Sequence, residues 1–416
     1  VNCQTIRKHT IMKRFLIITL LGAFLATGCT TTPAPGTLAK TTPESQGMNS
    51  TILCRVDSVV FKAIEEGQCP GAVLSVVKND KIVYLKAYGN KSVVPDTVAM
   101  TTETVFDLAS VSKCVGTTLS FLQLVENGSI RLTDRVDMYI PDFRPWIDPD
   151  TGEKTDIRII DLLTHSSGIE PYIGVPAYVE RFGEATPDSL IRYIATEVKR
   201  NFKPTTGYMY SCLNFITLQH ILQNITGQTL SDYAQTHVFD ALELKNTCYS
   251  PTGPILELCA PTEVQTDGLP LVGNVHDPIA RIINVGNSGN AGVFSNAEDL
   301  SVIAAALMNG GQIHGRRVLG KMTVERMITV PEENSPHIGR ALGWDNRSSA
   351  AGIRGDLFSR TRTICHTGYT GTSMVMDMDS KTAVILLTNR VHPEDKGGLA
   401  RTRALVANIV AASVEE

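Results

Sequence analysis

Strand-like sequence occurs near both ends of this chain, with a mostly helical stretch between. Near the front, GAVLSVVKNDKIVYLKAYG (residues 71–89) has two β-branched apolar runs around Asn79-Asp80 and reads as a hairpin. Near the back, RTICHTGYTGTSMVMDMDSKTAVILLTNR (residues 362–390) reads as two strands joined at Asp377–Ser380. From 110 to about 275, stretches such as TDIRIIDLLTHSSG and NFITLQHILQNITG show helical spacing between long loops. Strand-rich ends around a helical middle predict an α+β fold. The expected architecture is an antiparallel sheet flanked by helices, built from residues 48–115 and 276–416, with a mostly helical inserted domain over 116–275. Residues 48–67 are amphipathic and predict a helix, and a last helix is expected from about Gly398.

The first 29 residues stand apart. MKRFLIITLLGAFLATGC (12–29) has a basic start, a 12-residue apolar run from Phe15 to Ala26, and small residues before Cys29. This is a secretion signal, too short to stay in a bilayer as a spanning helix. Residues 1–11 read as sequence upstream of a true start at Met12. The ending ATGC is similar to a bacterial lipoprotein signal, in which the cysteine becomes the lipidated first residue. Ala26 departs from that pattern, since Leu is favoured there. The expectation is an exported protein of the bacterial cell envelope, held to the membrane through Cys29, with a Pro/Thr-rich tether over 30–47.

Bulk properties exclude several classes. A net charge of −4, with 19% charged residues, gives no basic surface for nucleic acid. Of the nine cysteines, Cys3 and Cys29 lie in the leader. The other seven (Cys54, Cys69, Cys114, Cys212, Cys248, Cys259, Cys365) are odd in number, scattered and free of C-x-x-C. They support neither a disulfide framework nor a zinc knuckle, and read as small buried hydrophobes. No H-E-x-x-H occurs, so no metal is expected, and no cofactor is implied. G-x-S-x-G is missing as well. GRRVLGKM (315–322) matches G-x-x-x-x-G-K, but Met322 stands where a Ser or Thr would hold magnesium, so it reads as a surface turn.

The chain carries S-x-x-K twice, at Ser75–Lys78 and Ser110–Lys113. In an extended strand, residues i and i+3 point to opposite faces, so Ser75 and Lys78 cannot act on one atom. After Ser110 the apolar residues Cys114, Val115, Leu119, Leu122 and Val125 recur at helical spacing, with Asn127-Gly128 as a stop. On a helix, i and i+3 share a face about 5–6 Å apart. The second copy therefore places an amine beside a hydroxyl. The plain alternative is that Ser110 merely caps a helix.

Two later segments add weight to the catalytic reading. PTTGYMYSCLNF (204–215) presents Tyr210 at a turn before a helix, with Tyr208 as its rival, and HTG (366–368) lies in a strand. With SVSK, YSC and HTG in this order, supported by LLTHSSG and AGVFSNAEDL, the chain resembles the serine β-lactamase and penicillin-binding superfamily from about residue 45 onward. The branch is that of class C β-lactamases, D-alanyl-D-alanine peptidases and related esterases, with a β-lactamase/transpeptidase-like fold. The resemblance implies a Ser110 nucleophile, with Lys113 and Tyr210 moving its proton. A lysine serves as base only when neutral, and both the helix dipole and burial are expected to disfavour the Lys113 cation. Half of an oxyanion hole is the Ser110 N–H at the helix start. By resemblance the other half is the Tyr369 N–H, with His366, Thr367, Gly368 and Cys212 along the substrate.

Two departures bear on substrate. Cys212 replaces the family's Asn in Y-x-N, and His366 replaces its Lys in K-T-G, weakening the hold on a carboxylate. Asn214 is not expected to substitute for the missing amide. The reading is an exported serine hydrolase acting through an acyl-enzyme, on a carboxylic ester or by transfer to an alcohol or amine. A β-lactamase or D-alanyl-D-alanine carboxypeptidase is the alternative, so the partner is a small ester, amide or β-lactam. A non-catalytic β-lactam or cell-wall binding protein is disfavoured, since a binder needs no activated nucleophile.

Overall fold

The computed structural model describes residues 34–183, 185–332, 334 and 338–415. The expected signal segment, Cys29 and the start of the tether lie outside the described residues. Helix α1 (Val56–Glu65) leads into the predicted hairpin, β1 (Gly71–Lys78) and β2 (Lys81–Ser92). Asn79 and Asp80 both adopt positive φ, 48° and 64°, which closes a two-residue loop in step with the strand twist. A short β3 (Val98–Ala99) extends the edge. At the far end of the chain, β7 (Thr363–Thr367), β8 (Ser373–Asp377) and β9 (Thr382–Thr388) complete a six-stranded antiparallel sheet of order β7-β8-β9-β1-β2-β3. The sheet is thus assembled from both ends, as the pattern predicts. The late stretch holds three strands and not two, because the chain reverses once more at Gly368–Gly371. There the Gly371 N–H donates to Gly368 O and Gly371 has φ 119°, a conformation that favours glycine.

Alternation along β1 sends its side chains into two cores. Val73 and Val77 face helix α4 (Ala297–Met308) and the helical middle of the chain. Ala72, Leu74 and Val76 face α1 and the last helix, α5 (Ala400–Ala412), which starts close to the expected position. One continuous core joins the sheet to the middle helices, including α3 (Cys212–Thr226), through Ile385, Ile303, Leu213 and Leu218. The rejected S-x-x-K copy is structural: Ser75 Oγ lies 2.9 Å from Ser301 Oγ and Lys78 Nζ donates to Ser380 O at 2.8 Å.

A second, three-stranded sheet, β5 (Cys248–Tyr249) and β4 (Phe106–Asp107) on either side of β6 (Val293–Ser295), delivers the chain to Ser110. The described part of the expected tether is not free. Leu38 is buried, and residues on either side of Lys40 exchange hydrogen bonds with Ile82 at 2.9 and 3.0 Å, so the apolar Leu38 side chain holds this stretch on the hairpin. In the Gly315–Met322 match, Lys321 and Met322 open a surface helix and Met322 is 79% exposed. Among the described residues no helix is long and apolar enough to cross a membrane.

Candidate active site

Ser110 sits in a tight turn (Ala109–Val111) and not at the start of a regular helix. Its hydroxyl caps no backbone N–H; it accepts from Lys113 Nζ at 3.0 Å. Ala109 has φ +46°, a left-handed conformation that costs a non-glycine residue on the order of 1–3 kcal/mol. Asp107 holds it there. One carboxylate oxygen accepts from the Ala109 N–H at 2.8 Å and the other from the His276 N–H at 2.7 Å. After Ser110 the chain takes a wide, π-helical turn over Lys113–Thr118 before the α-helix α2 (Leu119–Glu126). The Thr118 hydroxyl donates to Lys113 O at 2.7 Å, which stabilises that wide turn. The sequence pattern of a single regular helix misses it.

Lys113 is buried and spends its N–H groups on three acceptors: Ser110 Oγ, Asn290 O at 2.8 Å and Cys212 Sγ at 3.5 Å. It lies 5.1 Å from the ring centre of Tyr210. Tyr210 is positioned by the helix start after it and by an imidazole beneath its ring. Ser211 caps α3 by accepting from the Asn214 N–H, and its own N–H donates to His165 Nδ1 at 3.0 Å. The Tyr210 ring stacks on His165, centres 4.3 Å apart. Its buried hydroxyl has no hydrogen-bond partner in the protein, although it lies close enough to Lys113 and Ser110 to interact electrostatically with both. Tyr208, the rival, faces Arg340 instead. Asn214 binds Ser167 Oγ at 2.8 Å and replaces nothing.

The turn after the H-T-G strand reaches the Ser110 turn through hydrogen bonds. Thr370 Oγ1 donates to Asp107 O at 2.7 Å and Thr372 Oγ1 to Leu108 O at 2.9 Å. A Cβ at Gly368 would stand 2.3 Å from Leu108 O and 2.1 Å from Thr372 Oγ1, so no other residue permits this approach. Among the described residues nothing accepts from the N–H of Ser110 or of Tyr369, which leaves both donors free. Ser110 lies where two cavities of about 480 Å³ each meet. One is walled by Tyr172, Cys212, Glu263, His276, Asp277 and Asp395, the other by Tyr208, His366, Thr367, Arg390, Arg403 and the start of α5. A further pocket of about 370 Å³ around Cys69 and His392 is away from this centre.

A family profile described as Beta-lactamase matches residues 56–408, taking in every one of these groups. The chain belongs to the Beta-lactamase family. It is 30% identical over 363 residues to an N-acetylmuramyl-L-alanine amidase of Bacillus subtilis (strain 168), covering 82% of this chain and 81% of that one. It is 29% identical over 408 residues to a protein of Escherichia coli (strain K12) named "Putative D-alanyl-D-alanine carboxypeptidase", covering 92% of each. Among solved structures, "EstCE1, a hydrolase with promiscuous acyltransferase activity" matches with a TM-score of 0.69 at 23% identity, over 87% of this chain and 99% of that one. "A class C beta-lactamase" matches with a TM-score of 0.68 at 19% identity, over 88% and 97%. These structures share the α+β fold, and the chain is a Beta-lactamase-family serine hydrolase.

Electrostatics correct one expectation for this Beta-lactamase-family site. Burial is the largest single influence and would lower the Lys113 ammonium, but Cys212, Tyr210 and Asp277 together outweigh it, and Lys113 is raised above the ordinary lysine range. Burial also raises the Tyr210 phenol and the Cys212 thiol, with Lys113 pulling both back. The three groups therefore titrate together, with the lysine pulled toward its charged form. His366 is not even partly charged near neutrality. Burial, reinforced by Arg340, lowers it to about 3, and its Nδ1 donates to Thr367 O at 2.9 Å.

Three supports of the site escaped the sequence reading. His165 is the platform of Tyr210, and burial keeps it neutral. Asn290 supplies the carbonyl that anchors Lys113. Arg340, completely buried, pairs with Asp345 at 2.5 Å and lies 5.7 Å from the Tyr210 ring centre. The segment LLTHSSG pointed to the first. No local spacing pointed to the other two.

Proposed function

We propose that this hydrolase cleaves carboxylic esters, or transfers their acyl groups, through an acyl-enzyme on Ser110. In the active form the coupled centre has lost one proton, from the Tyr210 phenol, because Lys113 is the stronger holder. Tyr210 then takes the Ser110 proton as Oγ attacks the carbonyl, with Lys113 as the fixed cation. The Ser110 and Tyr369 N–H groups receive the oxyanion. Tyr210 returns the proton to the departing alkoxide, and water or an alcohol repeats the sequence to release the acyl group. Activity should rise with pH as the centre loses that proton.

The observation that carries the ester reading is His366: buried and uncharged where a carboxylate clamp would need a cation. With Cys212 in place of an amide, a β-lactam loses one charged contact and one neutral one. Together these are worth up to about a thousandfold in specificity. Short-chain aryl esters should therefore be turned over far faster than a chromogenic cephalosporin, and the reverse order would overturn the reading. A second reading, the carboxypeptidase, is favoured by one feature of the other cavity. The start of α5 has no side-chain cap, Arg403 carries a buried Nε without a partner, and Arg390 lies alongside. Together they suit an anion. If that reading holds, Arg403→Ala should lower kcat/KM for a peptide ending in D-Ala-D-Ala by about 10- to 100-fold, and far less for a neutral ester.

The same proposal places the protein in the cell envelope, anchored through Cys29. Expressed in a bacterium, it should fractionate with membranes, and Cys29→Ala should release it. Wild-type protein found wholly in the soluble periplasm would remove the anchor.

A further inference from the structure

The acyl transfer described above has no use for the thiol of Cys212, yet this thiol is unlike the others. Cys69, Cys114, Cys259 and Cys365 are buried, Cys54 is exposed, and Cys212 and Cys248 are half-buried; of these seven, Cys212 is the one that lines the cavity in front of Ser110. It is the first residue of the 15-residue helix α3, where the dipole favours a thiolate. Lys113 Nζ lies 3.5 Å away. Asn290 is 1% exposed, and its amide nitrogen, which has no partner in the protein, faces the sulfur. Burial, with Asp277, holds this thiol above the ordinary range, and Lys113 and Asn290 pull it part of the way back, so the geometry and not a low resting value marks the site. A cation, an unpaired amide donor and a helix start thus converge on one sulfur that is open to a cavity.

We propose that Cys212 is a thiolation site, at which a small disulfide entering the Ser110 cavity reversibly shuts the hydrolase. Cys212 gives its proton to water, and the thiolate attacks one sulfur of the disulfide R–S–S–R. A bond forms between Cys212 and that sulfur, the original S–S bond breaks, and the departing R–S⁻ takes up a proton. The disulfide is the only oxidant consumed. The attached group fills the space before Ser110, and an excess of a reducing thiol reverses the exchange. Glu263 and Asp277 wall the same cavity, with Asp395 beside them neutralised by Arg390 at 2.7 Å, so a cationic disulfide is favoured over an anionic one.

The full chain treated with cystamine, or separately with 3,3′-dithiodipropionate, tests this by peptide mass spectrometry. Cys54 serves as the exposed reference in the same sample. A mixed disulfide on Cys212 is expected, with cystamine favoured about tenfold after normalisation to Cys54. Aryl-ester hydrolysis should fall in proportion to that label and return with dithiothreitol. Whatever rate Cys212→Ser retains should be insensitive to cystamine. An unlabelled Cys212 beside a saturated Cys54 would overturn the proposal, as would equal inactivation of Cys212→Ser. Loss of the charge preference would remove the role of the acidic wall. The labelling readout needs no turnover, so it stands or falls separately from the ester reading.

Discussion

Alanine at position 110 is expected to lower hydrolysis by at least about a thousandfold while leaving the fold intact. In the proposed mechanism Ser110 supplies the attacking oxygen, and it is the one serine that lines both cavities. The same side chain does little for stability. It caps no helix, and its hydrogen bond from Lys113 at 3.0 Å is worth about 1 kcal/mol. Lys113 keeps Asn290 O as a partner when the serine is gone. Circular dichroism and a denaturant midpoint close to wild type, with turnover lost, is the expected pair of results. Retained turnover in a folded variant would end the case for Ser110 as nucleophile.

The largest change in stability is expected from Arg340→Met. Arg340 and Asp345 form a buried pair, 2.5 Å apart, with side chains 0% and 6% exposed. Removing one partner of such a pair strands the other's charge and costs about 3–5 kcal/mol. The pH dependence gives the cause away. Burial would raise the Asp345 carboxyl, but Arg340, foremost among its partners, together with His366 and the Ser348 hydroxyl more than offsets it and holds the folded value low. In wild type its contribution is therefore present above the unfolded value, roughly pH 4, and fades as the pH falls through the folded value. In Arg340→Met the carboxyl loses its partner and its folded value climbs. The deficit should be greatest at neutral pH and shrink on acidification, as read from urea midpoints between pH 4.5 and 7.5. A deficit that stays constant with pH would mean lost packing and not a stranded charge. Arg340 also favours ionisation of Tyr210. Surviving activity of the variant should then rise at higher pH than in wild type.

The parts of this site legible in the sequence are those encoded by short spacing. A hydroxyl and an amine three residues apart on a helical turn, a tyrosine before a helix start and a glycine after a strand each impose local geometry. The Ser110–Lys113 pair is therefore legible by itself, while Tyr210 and Gly368 are joined to it through the order of motifs that carries the family resemblance. The hairpin at Asn79-Asp80 was legible for the same reason. What depends on distant partners was not. The upward pull on Lys113 comes from Cys212, Tyr210 and Asp277, about a hundred residues or more away, and the lowering of His366 from burial and Arg340. The third late strand was hidden because its turn, Gly368–Gly371, lies within a run of strand-forming residues. The described tether residues were missed because Leu38 finds its partners on the hairpin.

The hydrogen bonds from Thr370 and Thr372 to Asp107 and Leu108 have a consequence in time. They join the turn after the edge strand β7 to the turn that carries Ser110, across more than 250 residues of intervening chain. Until that seam closes, the Tyr369 N–H has no fixed place beside Ser110. A partly made or partly unfolded chain is therefore chemically inert, and reactivity at Ser110 marks the moment at which the two halves of the polypeptide have met.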